Sequence, residues 1–255
     1  MKLLIDLGNS RLKSALWDGA QLRHGPALTH AGAANEDTLG AGDFSALWKD
    51  VAPPHAIWIA SVASTTLEQQ LTRGLAEHFA VSPKFARSPA SACGVRNAYS
   101  APARLGVDRF LSLVAAHAEV PGAAVVASCG TALTLDAVDA GGLHLGGLIA
   151  PSPGLMKNAL LDHTARLGEL AAAPVTDFAD TTAAAVESGT WLAAVALIER
   201  FVARTHARVG QAPVLIVAGG AARRLAALLD SEHRVEPDLV LRGLAKFADA
   251  SGERL

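Results

Sequence analysis

Cysteine is almost missing from this chain: Cys93 and Cys129 are the only two in 255 residues. Two cysteines make no disulfide framework, so a reducing cytoplasm is the expected setting. An excess of charge of either sign is missing too. Lysine and arginine total 22 against 24 aspartates and glutamates, a net charge of −2. That balance gives no broad attraction to nucleic acid, and any basic site must be local. No run approaches the ~18–20 apolar residues that a membrane span needs. The first residues lack a signal-peptide pattern, because Asp6 interrupts the opening apolar run far too early. The nine histidines show no metal-ligand spacing, and His163 reads as a helix surface residue. Neither a G-x-x-x-x-G-K-S/T phosphate loop nor a G-x-S-x-G nucleophile elbow occurs. What the chain has is apolar mass: 51% of residues are hydrophobic and 18% charged. That composition supports one large domain or two of about 125 residues each.

The N-terminal stretch Leu3-Leu4-Ile5-Asp6-Leu7-Gly8-Asn9-Ser10-Arg11-Leu12-Lys13 organises the rest. Its apolar run suits one buried strand, and Ser14 to Trp17 suits a second, with Asp18-Gly19 as the following turn. In the tight turn between the strands, Gly8 lets backbone approach a ligand. Asn9 and Ser10 can donate to phosphate oxygens, Lys13 can add a positive charge, and Asp6 can hold a hydrated Mg²⁺. The same residues also suit an ordinary turn with Asp6 satisfied by backbone N–H groups.

Further strands are expected near Gln21–Leu28, over Ala56–Ala60 and, at an edge because of Pro83, over Val81–Ala86. Helices are expected over Phe44–Val51 with Asp43 as N-cap, over Leu67–Phe79 with Ser64 or Thr65 as cap, and from Arg104 or Val107 to Glu119. Thr29 to Gly42 and Ser88 to Pro102 read as loop. The pattern then restarts. Ala123–Ala127, Leu133–Val138 and Leu143–Ala150 read as a second three-strand meander with the polar turn Ser128-Cys129-Gly130-Thr131 after its first strand. Helices over Pro153–Leu161 and on toward Leu167, over Thr181–Arg208, over Ala221–Leu229 and over Leu239–Ala248, with a strand at Val214–Ala218, complete an α/β order. The repeated order of elements suggests an internal structural repeat.

Three constellations carry chemistry. Gly130, Thr131 and Thr134 repeat the logic of the first turn, and two such turns facing one another can hold the phosphates of one nucleotide. Gly219-Gly220 joins a buried strand to a helix, where a base or ribose can lie on backbone, although any tight strand-to-helix turn also favours glycine. Leu105-Gly106-Val107-Asp108-Arg109 opens a helix. Asp108 is a candidate general base for a substrate hydroxyl, and Arg109 a candidate for binding an anionic group. A structural cap with a salt bridge explains the same pair. Cys129 has no evident partner and reads as a small buried residue. Gly146-Gly147 within a strand pattern implies a close approach.

Taken together, these residues resemble the type III pantothenate kinases of the CoaX/Baf family over nearly the whole chain. The resemblance rests on Asp6-Leu7-Gly8-Asn9-Ser10, on Tyr99-x-x-Pro102-x-x-Leu105-Gly106-x-Asp108-Arg109 and on Cys129-Gly130-Thr131-Ala132-x-Thr134. Gly146-Gly147-x-Ile149-x-Pro151, Thr182 to Gly189 and Gly219-Gly220 follow in the family's order. It implies an actin-like ATPase fold of the acetate and sugar kinase/Hsp70/actin type. Two ribonuclease H-like domains, residues 1–119 and 120–255, would flank a nucleotide cleft. The implied reaction is phosphorylation of pantothenate to 4′-phosphopantothenate with ATP, the first step of coenzyme A synthesis, by a homodimer. By carry-over, Asp6 would organise Mg²⁺, while Gly8, Asn9, Ser10 and Lys13 hold phosphates. Gly130, Thr131 and Thr134 would form the second phosphate turn, with Gly219 and Gly220 also on the nucleotide. Asp108 would be the base, with Tyr99, Gly106, Val107, Arg109 and Thr182 around pantothenate. The family's acid that accompanies a monovalent cation, K⁺ or NH₄⁺, is Ser128 here, which puts that requirement in question. The glycine after Pro151 is Ser152, and the asparagine before Thr182 is Thr181. A non-catalytic accessory factor for transcription and a phosphotransferase with another acceptor are the competing readings.

Overall fold

The structure is a computed structural model and describes residues 1–30, 44, 46–164 and 170–252. The expected loop over 31–42, the Asp43 cap and the helical stretch toward Leu167 lie outside those residues. The chain forms two compact units, Met1–Ala118 with Leu239–Leu255, and Glu119–Asp238.

The first unit is built on a sheet of β1 (Lys2–Leu7), β2 (Arg11–Trp17), β3 (Leu22–Thr29), β4 (Ala56–Ser61) and β5 (Lys84–Phe85), in the order β3-β2-β1-β4-β5. β1, β2 and β3 are an antiparallel meander, whereas β4 runs parallel to β1 and β5 parallel to β4. β1 is central, so both its faces are covered and its residues read as an unbroken apolar run rather than an alternation. Leu3, Ile5 and Leu7 face Leu67, Leu71, Leu75 and Phe79 of helix α1 (Thr65–Phe79), together with Phe44 and Trp48. Their i, i+4, i+8 spacing puts the three leucines on one stripe of that helix. Ser64 caps α1 by accepting from the Leu67 N–H at 3.4 Å. Leu4, Trp58 and Ala60 face helix α2 (Val107–Glu119) and the last helix, α6 (Leu239–Ala250). A short hairpin, β6 (Ser91–Ala92) with β7 (Val95–Arg96), and a 3₁₀ turn at Pro102–Arg104 precede α2.

The second unit repeats the plan. Its sheet is β8 (Ala124–Cys129), β9 (Ala132–Val138), β10 (His144–Pro151), β11 (Val214–Ala218) and β12 (His233–Val235), in the order β10-β9-β8-β11-β12. The meander is again antiparallel, and β11 and β12 again add in parallel. Helices α3 (Pro153–His163), α4 (Thr182–Val209) and α5 (Ala222–Ala226) follow the meander and β11. Trp191, Ala194 and Ile198 of α4 pack with Ala222 and Leu225 of α5 over Val125, Leu133, Leu135 and Val217.

Several boundaries differ from expectation for local reasons. The edge strand after Pro83 shrinks to Lys84–Phe85, because proline supplies no N–H to a ladder. Helical residues at Phe44, Ala46 and Leu47 give way to a turn at Trp48, short of Val51. The helix after Gly220 covers five residues rather than nine. A division at residues 119 and 120 places 239–255 with the second half; α6 instead belongs to the first unit. Lys2 Nζ donates to Asp249 Oδ1 at 2.9 Å and to the Ala248 carbonyl at 3.1 Å, and Trp17 Nε1 donates to Asp249. A Cβ on Gly243 would overlap the Leu111 carbonyl group, so α6 lies backbone to backbone on α2.

Candidate active site

In the first unit the Asp6 turn is the reversal between β1 and β2. Asp6 pairs with Lys13 and Leu7 with Leu12, leaving Gly8, Asn9 and Ser10 to make the reversal. The Gly8 N–H donates to the Arg11 carbonyl at 3.0 Å, and a Cβ on Gly8 would stand 3.3 Å from that oxygen. Asn9 is exposed, while Asp6, Ser10 and Lys13 are half-buried. His30 clasps the turn from the end of β3. Its backbone N–H donates to the Ser10 carbonyl at 3.0 Å, and its Nε2 lies 3.0 Å from the Gly8 carbonyl. A carbonyl only accepts, so Nε2 carries a proton in this contact. His30 lies twenty-two residues from Gly8, and no local spacing marks it.

The second constellation of this unit is at the start of α2. The Gly106 carbonyl accepts from Phe110 N–H at 3.0 Å, so Gly106 is the residue from which the helix starts. A Cβ on Gly106 would lie 2.6 Å from Asp108 Oδ1, so only glycine leaves that carboxylate in place. Asp108 Oδ1 accepts from the Arg109 N–H at 2.8 Å. Arg109 is only 6% exposed, and its Nη1 donates to the Tyr99 hydroxyl at 3.1 Å. Asn97 fixes the intervening loop: its side chain donates to the Pro89 and Pro102 carbonyls and accepts from the Tyr99 N–H. Tyr99, Gly106, Val107, Asp108 and Arg109 therefore gather at one helix start. Arg109 thus meets Asp108 through its backbone N–H and Tyr99 through its guanidinium.

In the second unit, Gly130 N–H donates to the Ala132 carbonyl at 2.9 Å, closing a tight reversal in which Gly130 and Thr131 are exposed. Thr134 pairs across the strands with Ser128. The Gly219 turn lies against this one. Gly219 has φ +88°, a Cβ there would overlap the Cys129 carbonyl, and the Ala221 N–H donates to that same carbonyl at 3.1 Å. Thus Gly130, Thr131 and Gly219 are brought together in one unit, the two turns meeting because β11 pairs with β8 at Ala218 and Ser128. Cys129 itself is fully buried, and burial pushes its thiol up to about 11, so it stays protonated and unreactive at neutral pH. Thr182 is exposed at the first position of α4, in the unit that does not contain Tyr99, Asp108 and Arg109.

The two unusual capping positions keep their chemistry. Ser152 Oγ accepts from the Leu155 N–H at 3.2 Å, and Thr181 Oγ1 from the Ala184 N–H at 3.2 Å. A further cluster joins residues that are mostly distant in sequence. Buried Glu187 receives Lys157 of α3, Arg224 of α5 and the indole N–H of Trp191.

The two matching sheets are those of the actin-like ATPase fold that sugar kinases share. A glucokinase from an Antarctic psychrotroph superposes with a TM-score of 0.51 at 11% identity, covering 97% of this chain and 98% of that one. A Baf-family protein of Campylobacter jejuni gives a TM-score of 0.62 at 20% identity, covering 99% and 100%. A type III pantothenate kinase of Nitrosococcus oceani is 37% identical over 97% of this chain and 94% of its own. One from Burkholderia lata is 39% identical over 96% and 94%. Residues 2–204 match the family model for type III pantothenate kinase. With relatives this similar along nearly its full length, the chain belongs to the type III pantothenate kinase family.

Proposed function

We propose that the protein phosphorylates pantothenate to 4′-phosphopantothenate with ATP, the opening step of coenzyme A synthesis, in the cytoplasm. The observation that carries the reading is the helix start at Gly106. There the missing Cβ of Gly106 leaves room for the Asp108 carboxylate, next to a buried arginine bonded to Tyr99. Asp108 takes the proton of the pantothenate hydroxyl as that oxygen bonds to the γ-phosphorus of ATP and the bond to the β-phosphate oxygen breaks, releasing ADP. Arg109, Tyr99, Gly106, Val107 and Thr182 bind pantothenate. An arginine matches the acceptor's carboxylate.

Gly8, Asn9, Ser10 and Lys13 hold phosphates from the first unit, and Gly130, Thr131, Thr134, Gly219 and Gly220 hold nucleotide from the second. Asp6 would hold Mg²⁺. Among the described residues no group of three His, Cys, Asp or Glu could cage a metal ion. One carboxylate plus substrate phosphates is the donor set that Mg²⁺ accepts. Held there by Asp6, the ion would neutralise charge on the transferring phosphoryl group. Ser128 offers a monovalent cation a neutral oxygen in place of a carboxylate, so K⁺ is expected to change the rate little.

The protein is a homodimer in this reading. Leu148, Ile149, Leu155 and Leu160 are exposed, and an apolar groove of about 650 Å³ runs between α3 and α4 beside them. A second copy of the chain covers that face.

Coupled measurement of ADP release tests the reaction, with ATP, Mg²⁺ and pantothenate, with and without K⁺. Pantothenate-dependent turnover is the expected result. Folded protein that binds ATP yet turns over neither with nor without K⁺ would favour a regulator or another acceptor.

A further inference from the structure

The Glu187 cluster lies outside the residues assigned to substrate, and its composition is unusual. Glu187 is 6% exposed, on the second turn of α4. Its Oε2 accepts from Lys157 Nζ at 2.9 Å, while Oε1 accepts from Arg224 Nη2 at 2.6 Å and from Trp191 Nε1 at 3.1 Å. The Arg224 guanidinium also lies over the Trp191 ring, 4.2 Å from its centroid. Three helices therefore meet on one carboxylate. Burying such a group costs desolvation that a packed apolar cluster would avoid, so fold stability alone is a poor reason for it.

Arg224 shows what the cluster holds. It lies in α5, five residues long and starting just after Gly219 and Gly220. So short a helix has no stability of its own. Ala222 and Leu225 tie one side of it to the core, and Arg224 ties it to Glu187. Gly219 is pressed on the Cys129 backbone, and the Ala222 N–H, at the start of α5, donates to the Gly219 carbonyl at 3.2 Å, so the placing of α5 bears directly on the Gly219–Gly220 turn. Lys157 ties the same carboxylate to α3, which carries none of the proposed nucleotide residues.

We infer that Glu187 is a positioning residue for the nucleotide: through Arg224 it fixes α5 and so sets the Gly219–Gly220 turn for the nucleotide. This inference rests on the reading that the nucleotide contacts that turn.

The experiment uses the full chain with ADP as probe. Hydrogen exchange of the parent with and without ADP first reports the turn: protection of residues 219–222 is expected. ADP affinity and steady-state kinetics then compare Arg224→Met, Arg224→Lys, Glu187→Gln and Lys157→Met. Arg224→Met and Glu187→Gln are expected to weaken ADP binding and raise the KM for ATP about tenfold, a charge-assisted contact's worth. The same variants should leave kcat and the pantothenate KM within about twofold. Arg224→Lys should recover most of the affinity, and Lys157→Met should stay within about twofold of the parent. A merely structural cluster would lower thermal stability and active fraction without separating the two KM values. ADP affinity unchanged in Arg224→Met, with 219–222 protected in the parent, overturns the positioning role alone. An equal loss in Lys157→Met overturns the route through Arg224. No protection of 219–222 removes the underlying reading, and the inference with it.

Discussion

At the residue scale the proposed chemistry depends on one hydrogen atom. Gly106→Ala puts a methyl group 2.6 Å from Asp108 Oδ1. The carboxylate ends a flexible side chain and can swing away from the Arg109 N–H, so the fold is expected to survive. The base is expected to leave its place, and misplaced groups of this kind cost about 10²-fold in rate. Steady-state kinetics should therefore show a collapse in kcat with ADP affinity and melting temperature near those of the parent. Asp108→Asn keeps the shape and removes the base, and should lower kcat by about 10²–10⁴-fold with ADP still bound. Near-normal turnover in Asp108→Asn would remove Asp108 as the base. The sequence motif makes Gly106 and Asp108 legible as neighbours, but not the reason for the glycine, which is a contact between the two. His30 and Glu187 were not legible at all. His30 meets Gly8 across twenty-two residues, and Glu187 meets Lys157 and Arg224 across thirty or more; only its contact with Trp191, one turn along the same helix, is local, and that spacing alone does not mark an ion cluster.

At the element scale, apolar runs separated by glycine turns made both meanders readable, and the β3-β2-β1 and β10-β9-β8 parts of the strand order follow from them. β12 and the shortness of α5 were not readable, because three paired residues and a five-residue helix exist only through tertiary contacts. Ser152 illustrates how an element tolerates a changed residue. It stands where the family's glycine is expected and accepts from the Leu155 N–H as the cap of α3. Serine and glycine are both good caps and alanine is not. Ser152→Gly is expected to cost a few tenths of a kcal/mol, and Ser152→Ala about 1 kcal/mol. Denaturant titration of the two variants checks the ranking, and equal losses would refute the cap. Glu187 adds a pH dependence to the packing of α3, α4 and α5. Desolvation pushes its carboxyl up, but hydrogen bonds and charge from Lys157 and Arg224 outweigh it and hold the group below its ordinary value of 4.5. A carboxyl lowered by folding stabilises the fold above its unfolded pKa, and that contribution is lost as pH falls through the native value. Stability of the parent should thus fall below about pH 4.5 more steeply than that of Glu187→Gln, as read from denaturation midpoints against pH.

At the scale of the whole molecule, the least legible feature is where the chain ends its path. The apolar stripe of α6 shows that the helix is buried, but not on which sheet, and chain order assigns it to the nearer, second half. Lys2, Trp17 and Gly243 decide otherwise, each by meeting something more than a hundred residues away. Gly243 is the sharpest of these. Its absent side chain is what lets α6 rest on the Leu111 carbonyl, a backbone group that cannot turn aside. Gly243→Ala must push the two helices apart. Overpacking of this kind costs about 1–3 kcal/mol even though alanine is the better helix former. The loss should be confined to the unit that α6 completes. Hydrogen exchange read by mass spectrometry should show peptides from 2–7, 56–61 and 107–119 losing protection. Peptides from 124–138 and 214–218 should keep theirs. A variant as stable as the parent would mean that the close approach is not maintained in solution. Equal loss in both sets would mean that the two units unfold as one cooperative block, with α6 stabilising the whole rather than the half it packs on.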